Sequence, residues 1–304
     1  MTSDTCVHQW GGIYISPGEY FNRLRNTPVA DNPYCIACTR REKNGVKSLR
    51  NMMVKTYEDN SIPFDDTIRH LDVCFSNLCN QQCLMCKSES SSRWYVDDKK
   101  WANTEFARRP VMYLDWSKKN LHKIIKILPD LHLISIKGGE PSIQSEVKHI
   151  LKYLTDNNLN PRIEMISNMQ QVSLEMMKLF CAQKNMYLRI SMDASGIMYD
   201  WTRGGNYSKT LSNISKYIEN CDHTPKIGFT NTLNRWSYKS LVEDILKIEK
   251  FISTFDLPSV NYNIQPVMGP RYTSPFAAPR EERLALVNHF EKHFGIIEND
   301  SIVY

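Results

Sequence analysis

From about residue 69 onward the chain alternates between two hydrophobic periods. Short runs rich in apolar or β-branched residues, at Leu71–Phe75, Leu131–Ile136, Ile163–Ile166, Tyr187–Met192, Lys226–Thr230 and Val260–Ile264, read as strands. Between them apolar residues recur at helical spacing. Trp116, Leu121, Ile124, Ile125 and Leu128 form one stripe, with Ser117 placed to cap it, and Ile143, Val147, Ile150, Leu151 and Leu154 form the next. Leu174, Met177 and Cys181 follow, then Tyr207, Leu211, Ile214 and Ile218, then Leu241, Ile245, Ile248 and Ile252. A last stripe runs through Leu284, Leu286, Val287 and Phe290. Strands separated by helices predict an α/β fold with a parallel sheet and right-handed crossovers. An open barrel and a doubly wound sheet both satisfy the pattern, and in either the reactive groups belong at the carboxyl ends of the strands.

Residues 1–62 depart from this rhythm. They carry a Pro17–Gly18 turn, a loop between Pro28 and Pro33 and a basic run from Thr39 to Arg50. The pattern predicts a small appended module over 1–62 and a core domain over 63–304. Residues 88–115, polar and serine-rich, read as a long connection, and connections of that length are usually functional or mobile.

Composition narrows the class. Hydrophobic residues at 41% and charged residues at 23% exclude a mostly disordered chain. No apolar run is long enough to span a membrane, and MTSDTCVHQW lacks the basic and apolar regions of a secretory signal, so a cytoplasmic protein without a membrane partner is expected. With 38 Lys and Arg against 33 Asp and Glu, the net charge of +5 is too mild to demand a nucleic-acid partner. Nine cysteines in a reducing compartment call for chemistry other than disulfides.

Three of those cysteines are packed together. Cys79-Asn-Gln-Gln-Cys83-Leu-Met-Cys86 is a C-x3-C-x2-C cluster directly after the first predicted strand. Four thiolates would close a zinc site or saturate a cubane; three leave one iron of a four-iron cluster open to another ligand. Three structural thiols, or a zinc site completed by a neighbouring residue, are the plainer alternatives. The second signal is Lys137-Gly138-Gly139-Glu140-Pro141, between the second strand and a helix. Two glycines let a backbone approach a ligand closely, and Glu140 supplies a carboxylate suited to an ammonium group.

These two motifs resemble those of the radical S-adenosylmethionine (SAM) superfamily, over about residues 69–270. The resemblance implies an open partial (β/α)6 barrel of the radical SAM type, and an enzyme in which Cys79, Cys83 and Cys86 bind three irons of a [4Fe-4S] cluster while the methionyl group of SAM chelates the fourth. Gly138, Gly139 and Glu140 would meet the methionyl amine. Reductive cleavage would give a 5′-deoxyadenosyl radical that abstracts hydrogen from a substrate, with flavodoxin or ferredoxin as electron donor. Ser191 and Asp193, in Ser-Met-Asp, match the family's S-x-D segment, Ser191 for the SAM carboxylate and Asp193 for its surroundings or the ribose. Arg203 matches an arginine for that carboxylate, and Asn168 a polar position ending the third strand. Helix capping by Asp193 and Asn168, and a surface Arg203, are the structural alternatives. Met85 stands where an aromatic residue often packs near adenine.

Cys35-Ile-Ala-Cys38, followed by Glu42, Gly45, Ser48 and Arg50, is similar to the end of a twitch region, the auxiliary-cluster module of many radical SAM proteins. It makes Cys35 and Cys38 a candidate second iron–sulfur site, with Cys6 nearby and Cys74 a conceivable fourth ligand; zinc or plain reduced thiols are the alternatives. Cys181 and Cys221 read as buried small apolar residues. A peptide or small-metabolite substrate is expected by analogy. The competing class is a non-catalytic iron–sulfur or zinc binding or assembly protein, supported by the short N-terminal module and the basic run at Arg40, Arg41, Lys43, Lys47 and Arg50. Nucleic-acid modification by the same radical chemistry is a third.

Overall fold

Alternating burial along the strands shows how the sheet is used. In the computed structural model, which describes residues 35–63, 67–101, 117–258, 260–268 and 271–295, six strands lie in one sheet in the order β1 to β6. They are β1 (His70–Cys74), β2 (Leu133–Lys137), β3 (Arg162–Ser167), β4 (Met186–Ser191), β5 (Lys226–Leu233) and β6 (Asn261–Pro266). Strands β2 to β6 pair in parallel. The strand order follows the chain without a reversal, whereas a doubly wound sheet reverses at a switch point. The sheet is open, a parallel six-stranded α/β arrangement.

One face is apolar. The register sets Ile134 beside Ile163, Ile163 beside Met186, Met165 beside Leu188, Leu188 beside Ile227 and Ile190 beside Phe229, and all of these are buried. Helical stripes from Ser145–Asp156, Tyr207–Asn220 and Leu241–Ile252 add Val147, Ile150, Leu151, Leu154, Ile214, Ile245 and Ile248 to this core. Each such side chain contributes about 1.5–3 kcal/mol by leaving water. The other face is polar and half-buried: Ser135, Glu164 and Tyr187 share one row, and Ser191, Thr230 and Asn263 another.

By compactness the chain divides into two units, Met1–Asp72 with Asp130–His132, and Val73–Pro129 with Leu133–Tyr304. In the first, helices Ile36–Lys43 and Leu49–Asp59 are joined by a tight turn, the second opening on a capping box between Ser48 and Asn51. Glu42 is held by both Ser48 and Arg50, so three residues of the Glu-Gly-Ser-Arg pattern form one local network. The final helix, Arg280–Phe294, packs Leu286 against Leu233, Leu241 and Ile245.

Three local expectations are corrected. Ser117 is the first residue of helix Ser117–Ile127 rather than its cap. Part of the 88–115 connection is ordered, with a turn at Ser92–Trp94 and a helix at Tyr95–Trp101, while 102–116 fall outside the described residues. Cys181 and Cys221 are not plain buried thiols but a disulfide, with Cα atoms 4.7 Å apart. Cys181 lies in the last turn of helix Leu174–Ala182 and Cys221 is the C-cap of helix Tyr207–Asn220, an adjacency that helical spacing alone does not reveal. Cys6 also lies outside the described residues, and among them no helix is long and apolar enough to cross a membrane.

Candidate active site

The cysteine cluster lies on a loop that follows β1 and has no regular secondary structure, so its backbone groups must find partners elsewhere. Leu84 N–H donates to Thr202 O at 2.8 Å, and Trp94 Nε1 donates to Cys83 O at 2.8 Å. Ser91 Oγ donates to Gln81 O at 2.6 Å, and Gln82 Nε2 to Asp97 at 2.6 Å. Ser91, Trp94 and Asp97 all belong to the segment whose polarity reads as a connection. Its hydrophilic character comes from binding the cysteine loop through hydrogen bonds rather than apolar packing.

The thiols are poorly solvated. Burial pushes the Cys79 thiol up to about 11, opposed by a hydrogen bond from Gln81 N–H. Cys83 is raised by its hydrogen bond with Cys86 and by burial, and Cys86 is lowered by the same bond; the Arg203 guanidinium lowers both. Among the described residues no three His, Cys, Asp or Glu side chains converge on a site for one ion. As donors the three cysteines suit a larger group: they are soft, have no carboxylate between Cys79 and Cys86, and are accompanied by a buried Asn80 Nδ2 with no hydrogen-bond partner among the described residues. Sulfide-bridged clusters accept hydrogen bonds of that kind, which tune them.

The Gly138–Gly139 turn meets the cysteine loop directly. Gly138 has φ +85°, and a Cβ there would stand 1.8 Å from Cys74 Sγ; at Gly139, with φ +53°, it would stand 2.2 Å from Leu78 O. The close approach that the glycines permit is thus to the chain leading into Cys79. Glu140 N–H donates to Leu78 O at 2.8 Å. The Glu140 carboxylate, 1% exposed, accepts from Ser142 N at 3.0 Å, Ser167 Oγ at 2.6 Å and Asn168 N at 2.6 Å.

On the opposite side, Arg203 ends a helix, Gly196–Arg203, that hydrophobic spacing does not predict. Its Nη1 reaches Asp193 Oδ2 at 2.5 Å and its Nε reaches Gln81 Oε1 at 3.3 Å, while its carbonyl accepts from Cys83 Sγ at 3.5 Å. Burial works against this charge, but Asp193 and the neighbouring sulfurs outweigh it and hold the proton. Asp193 also accepts from Thr232 N at 2.7 Å, so it caps no helix. Arg203 is 8% exposed and therefore not a surface residue. Asn168 Nδ2 donates to Asn80 Oδ1 at 2.9 Å, bringing the end of β3 against the cysteine loop, while its Oδ1 takes Gln170 N at 2.9 Å. Ser191 ends β4, half-buried on the polar face beside Thr230, and Met85 is half-buried on the loop. Cys35 is buried and Cys38 half-buried in the first unit.

Sequence reasoning missed Gln81, Gln144 and Gln170. Gln81 touches Arg203, Gln170 and Tyr199, while Gln144 Nε2 donates to Gly138 O at 2.8 Å. Their only local signal is position: Gln81 within the cluster, Gln144 just past the Gly-Gly turn, Gln170 two residues after Asn168.

No protein-family model matches the chain, and no characterised protein matches it in sequence. Solved structures do. The enzyme anSMEcpe with bound SAM and the Cp18Cys peptide matches at a TM-score of 0.52 and 12% identity, over 74% of this chain and 59% of that one. SuiB of Streptococcus suis bound to its precursor peptide SuiA matches at 0.50 and 13%, over 84% of this chain and 58% of that one. Both are radical SAM enzymes. The likeness is one of fold. This chain spans about half to three fifths of the length of the structures it matches.

Proposed function

We propose that this chain is a radical SAM enzyme acting on a peptide, with its sheet curved into an open partial (β/α)6 barrel. The observation that carries the reading is the juxtaposition of C-x3-C-x2-C after β1 with the Gly-Gly-Glu-Pro turn after β2, stitched together at the carboxyl ends of a sequentially ordered parallel sheet. Cys79, Cys83 and Cys86 would hold three irons of a [4Fe-4S] cluster. When bound, the cluster and SAM supply reductive cleavage to methionine and a hydrogen-abstracting 5′-deoxyadenosyl radical.

The protein's own part is placement. Glu140, fixed by three donors, holds the turn of Gly138 and Gly139 that would face the methionyl amine. Arg203 and Ser191 would face the SAM carboxylate, with Asp193 orienting Arg203; a guanidinium fork suits that role. Asn168 would support the cluster loop through Asn80, and Met85 would lie near adenine. The segment around Ser91 and Trp94 covers the loop and limits access of water. A peptide substrate is supported by the two structural neighbours, each determined with a peptide bound. Residues 1–62 would form the twitch-like segment, with Cys35 and Cys38 contributing to an auxiliary cluster.

Anaerobic reconstitution tests the reading. The wild type is expected to bind about four irons through the loop and to release 5′-deoxyadenosine on reduction; Cys83→Ala should lose both properties. Cleavage persisting in Cys83→Ala, or a colourless protein with stoichiometric zinc, would refute it and favour a structural or assembly role.

A further inference from the structure

Three amide side chains lie within the cysteine cluster, on Asn80, Gln81 and Gln82. Gln81 Nε2 donates to Gln170 Oε1 at 3.3 Å and to Tyr199 Oη at 3.4 Å, and Gln82 Nε2 donates to Asp97 Oδ2 at 2.6 Å. Asn80 is only half used, and a chain of fixed partners shows which half. The backbone N–H of Gln170 can only donate, so the Asn168 atom that meets it at 2.9 Å is the oxygen. Asn168 therefore turns its Nδ2 to Asn80, and the Asn80 atom that receives it at 2.9 Å is again the oxygen. Asn80 Nδ2 is left as a donor, buried and without a hydrogen-bond partner among the described residues. Its amide stands beside a cysteine sulfur, with Cys79 Sγ 4.0 Å from Asn80 Oδ1. Cys83 Sγ, by contrast, is met by acceptors, Arg203 O at 3.5 Å and Gln81 Oε1 at 3.8 Å.

We infer that Asn80 Nδ2 donates to a sulfide of the cluster held by Cys79, Cys83 and Cys86 and raises its reduction potential, with Asn168 as the positioning residue that turns the amide toward it. A buried donor left unpaired costs about 1–3 kcal/mol, so folded chains almost always give it a partner. Cluster sulfides accept hydrogen bonds, and a bond to the more negative, reduced cluster is the stronger one. The consequence is a cluster that is easier to reduce. This assignment rests on the function proposed above, because it takes a [4Fe-4S] cluster as the group on the loop.

The test is a redox titration of anaerobically reconstituted full-length protein without SAM, followed by electron paramagnetic resonance, after iron content and SAM cleavage have been measured on the same preparation. Asn80→Ala should bind as much iron as the wild type and titrate at a more negative potential. At a fixed potential its ratio of reduced to oxidised cluster should be lower by roughly tenfold, which is about 59 mV for one electron. In protein reconstituted in heavy water, electron–nuclear double resonance of the reduced cluster should show a deuteron coupling that Asn80→Ala lacks. Asn168→Leu should shift the midpoint in the same direction by less, and the double variant no further than Asn80→Ala. Should Asn80→Ala fail to load iron, Asn168→Leu carries the comparison, and an unshifted midpoint there overturns the inference. In iron-loaded Asn80→Ala, an unshifted midpoint or an unchanged set of deuteron couplings overturns it. So does a double variant shifted by the full sum, or a shift seen only with SAM present, which would make the methionyl carboxylate the acceptor. In each of these cases the radical SAM reading stands; wild-type protein that binds no four-iron cluster removes both.

Discussion

Replacing Asp193 by alanine tests the central electrostatic contact of the site. Asp193 has a fully buried side chain and accepts from Arg203 Nη1 and Thr232 N–H. Its removal leaves a guanidinium with 9% side-chain exposure facing only Gln81 Oε1 among these partners, and orphans one backbone donor. Breaking a buried pair by deleting one partner costs about 3–5 kcal/mol, because the surviving charge stays desolvated. For a chain of this size that lowers the melting temperature by roughly 10 °C. Arg203→Ala should cost a similar amount, and the double variant about 2 kcal/mol less than the sum, since it strands neither charge. Urea unfolding of the reduced, metal-free protein followed by far-UV circular dichroism isolates this from any contact with SAM. A loss under about 1 kcal/mol in Asp193→Ala, or strict additivity in the double variant, would show that the pair is relaxed by water and that the reasoning fails.

Gly139→Ala should cost more than about 2 kcal/mol, since its Cβ would lie 2.2 Å from Leu78 O at φ +53°; iron bound per chain should fall with it, and full iron loading would contradict the packing described. The hydrogen bond from Arg50, then that from Ser48, holds the Glu42 carboxyl below its ordinary range. Its folded value is thus below its unfolded value, so the stability it contributes is present above roughly pH 4.3 and lost as pH falls toward the folded value; Glu42→Gln should flatten that acid limb in a melting series from pH 3 to pH 6. Closing the 40-residue interval between Cys181 and Cys221 should stabilise the oxidised protein by about 4 kcal/mol on chain-entropy grounds. Cys181→Ser should remove the difference between oxidised and reduced melting curves, measured on metal-free protein.

The strands were legible because their apolar content is local. Predicted runs such as Tyr187–Met192 and Ile163–Ile166 fall within a residue or two of the observed Met186–Ser191 and Arg162–Ser167. What the runs conceal is that only one face is apolar, since Glu164, Arg189 and Thr230 alternate with Met165, Ile190 and Phe229. Helix Gly196–Arg203 escaped notice for a physical reason: it exposes Ile197 and Trp201 and buries Tyr199, Thr202 and Arg203, the reverse of an ordinary amphipathic stripe. The cysteine cluster and the Gly-Gly-Glu-Pro turn were visible through spacing. Their mutual contact was not, because the distance from Gly139 to Leu78 depends on two strands lying side by side.

The helix inversion and the ion pair have a common cause. Buried pairs such as Asp193–Arg203 are seldom the most stable solution for a core, and apolar residues of similar volume often do as well. Here the pair does what an apolar contact could not. Arg203 presents its Nε to Gln81 and its carbonyl to Cys83, while Asp193 takes the N–H of Thr232 on β5, so one charged pair fixes the cysteine loop against β4 and β5 in a single register. A loop without its own ladder needs directional partners of this sort, and the Glu140 carboxylate fixes the other side through Ser142, Ser167 and Asn168. The two carboxylates stand at the ends of β2 and β4, where a parallel sheet gathers its functional groups. Both are spent on holding the frame, so a ligand at these strand ends would be met by the thiols, Asn80, the Arg203 guanidinium and the Gly138–Gly139 turn that this frame positions.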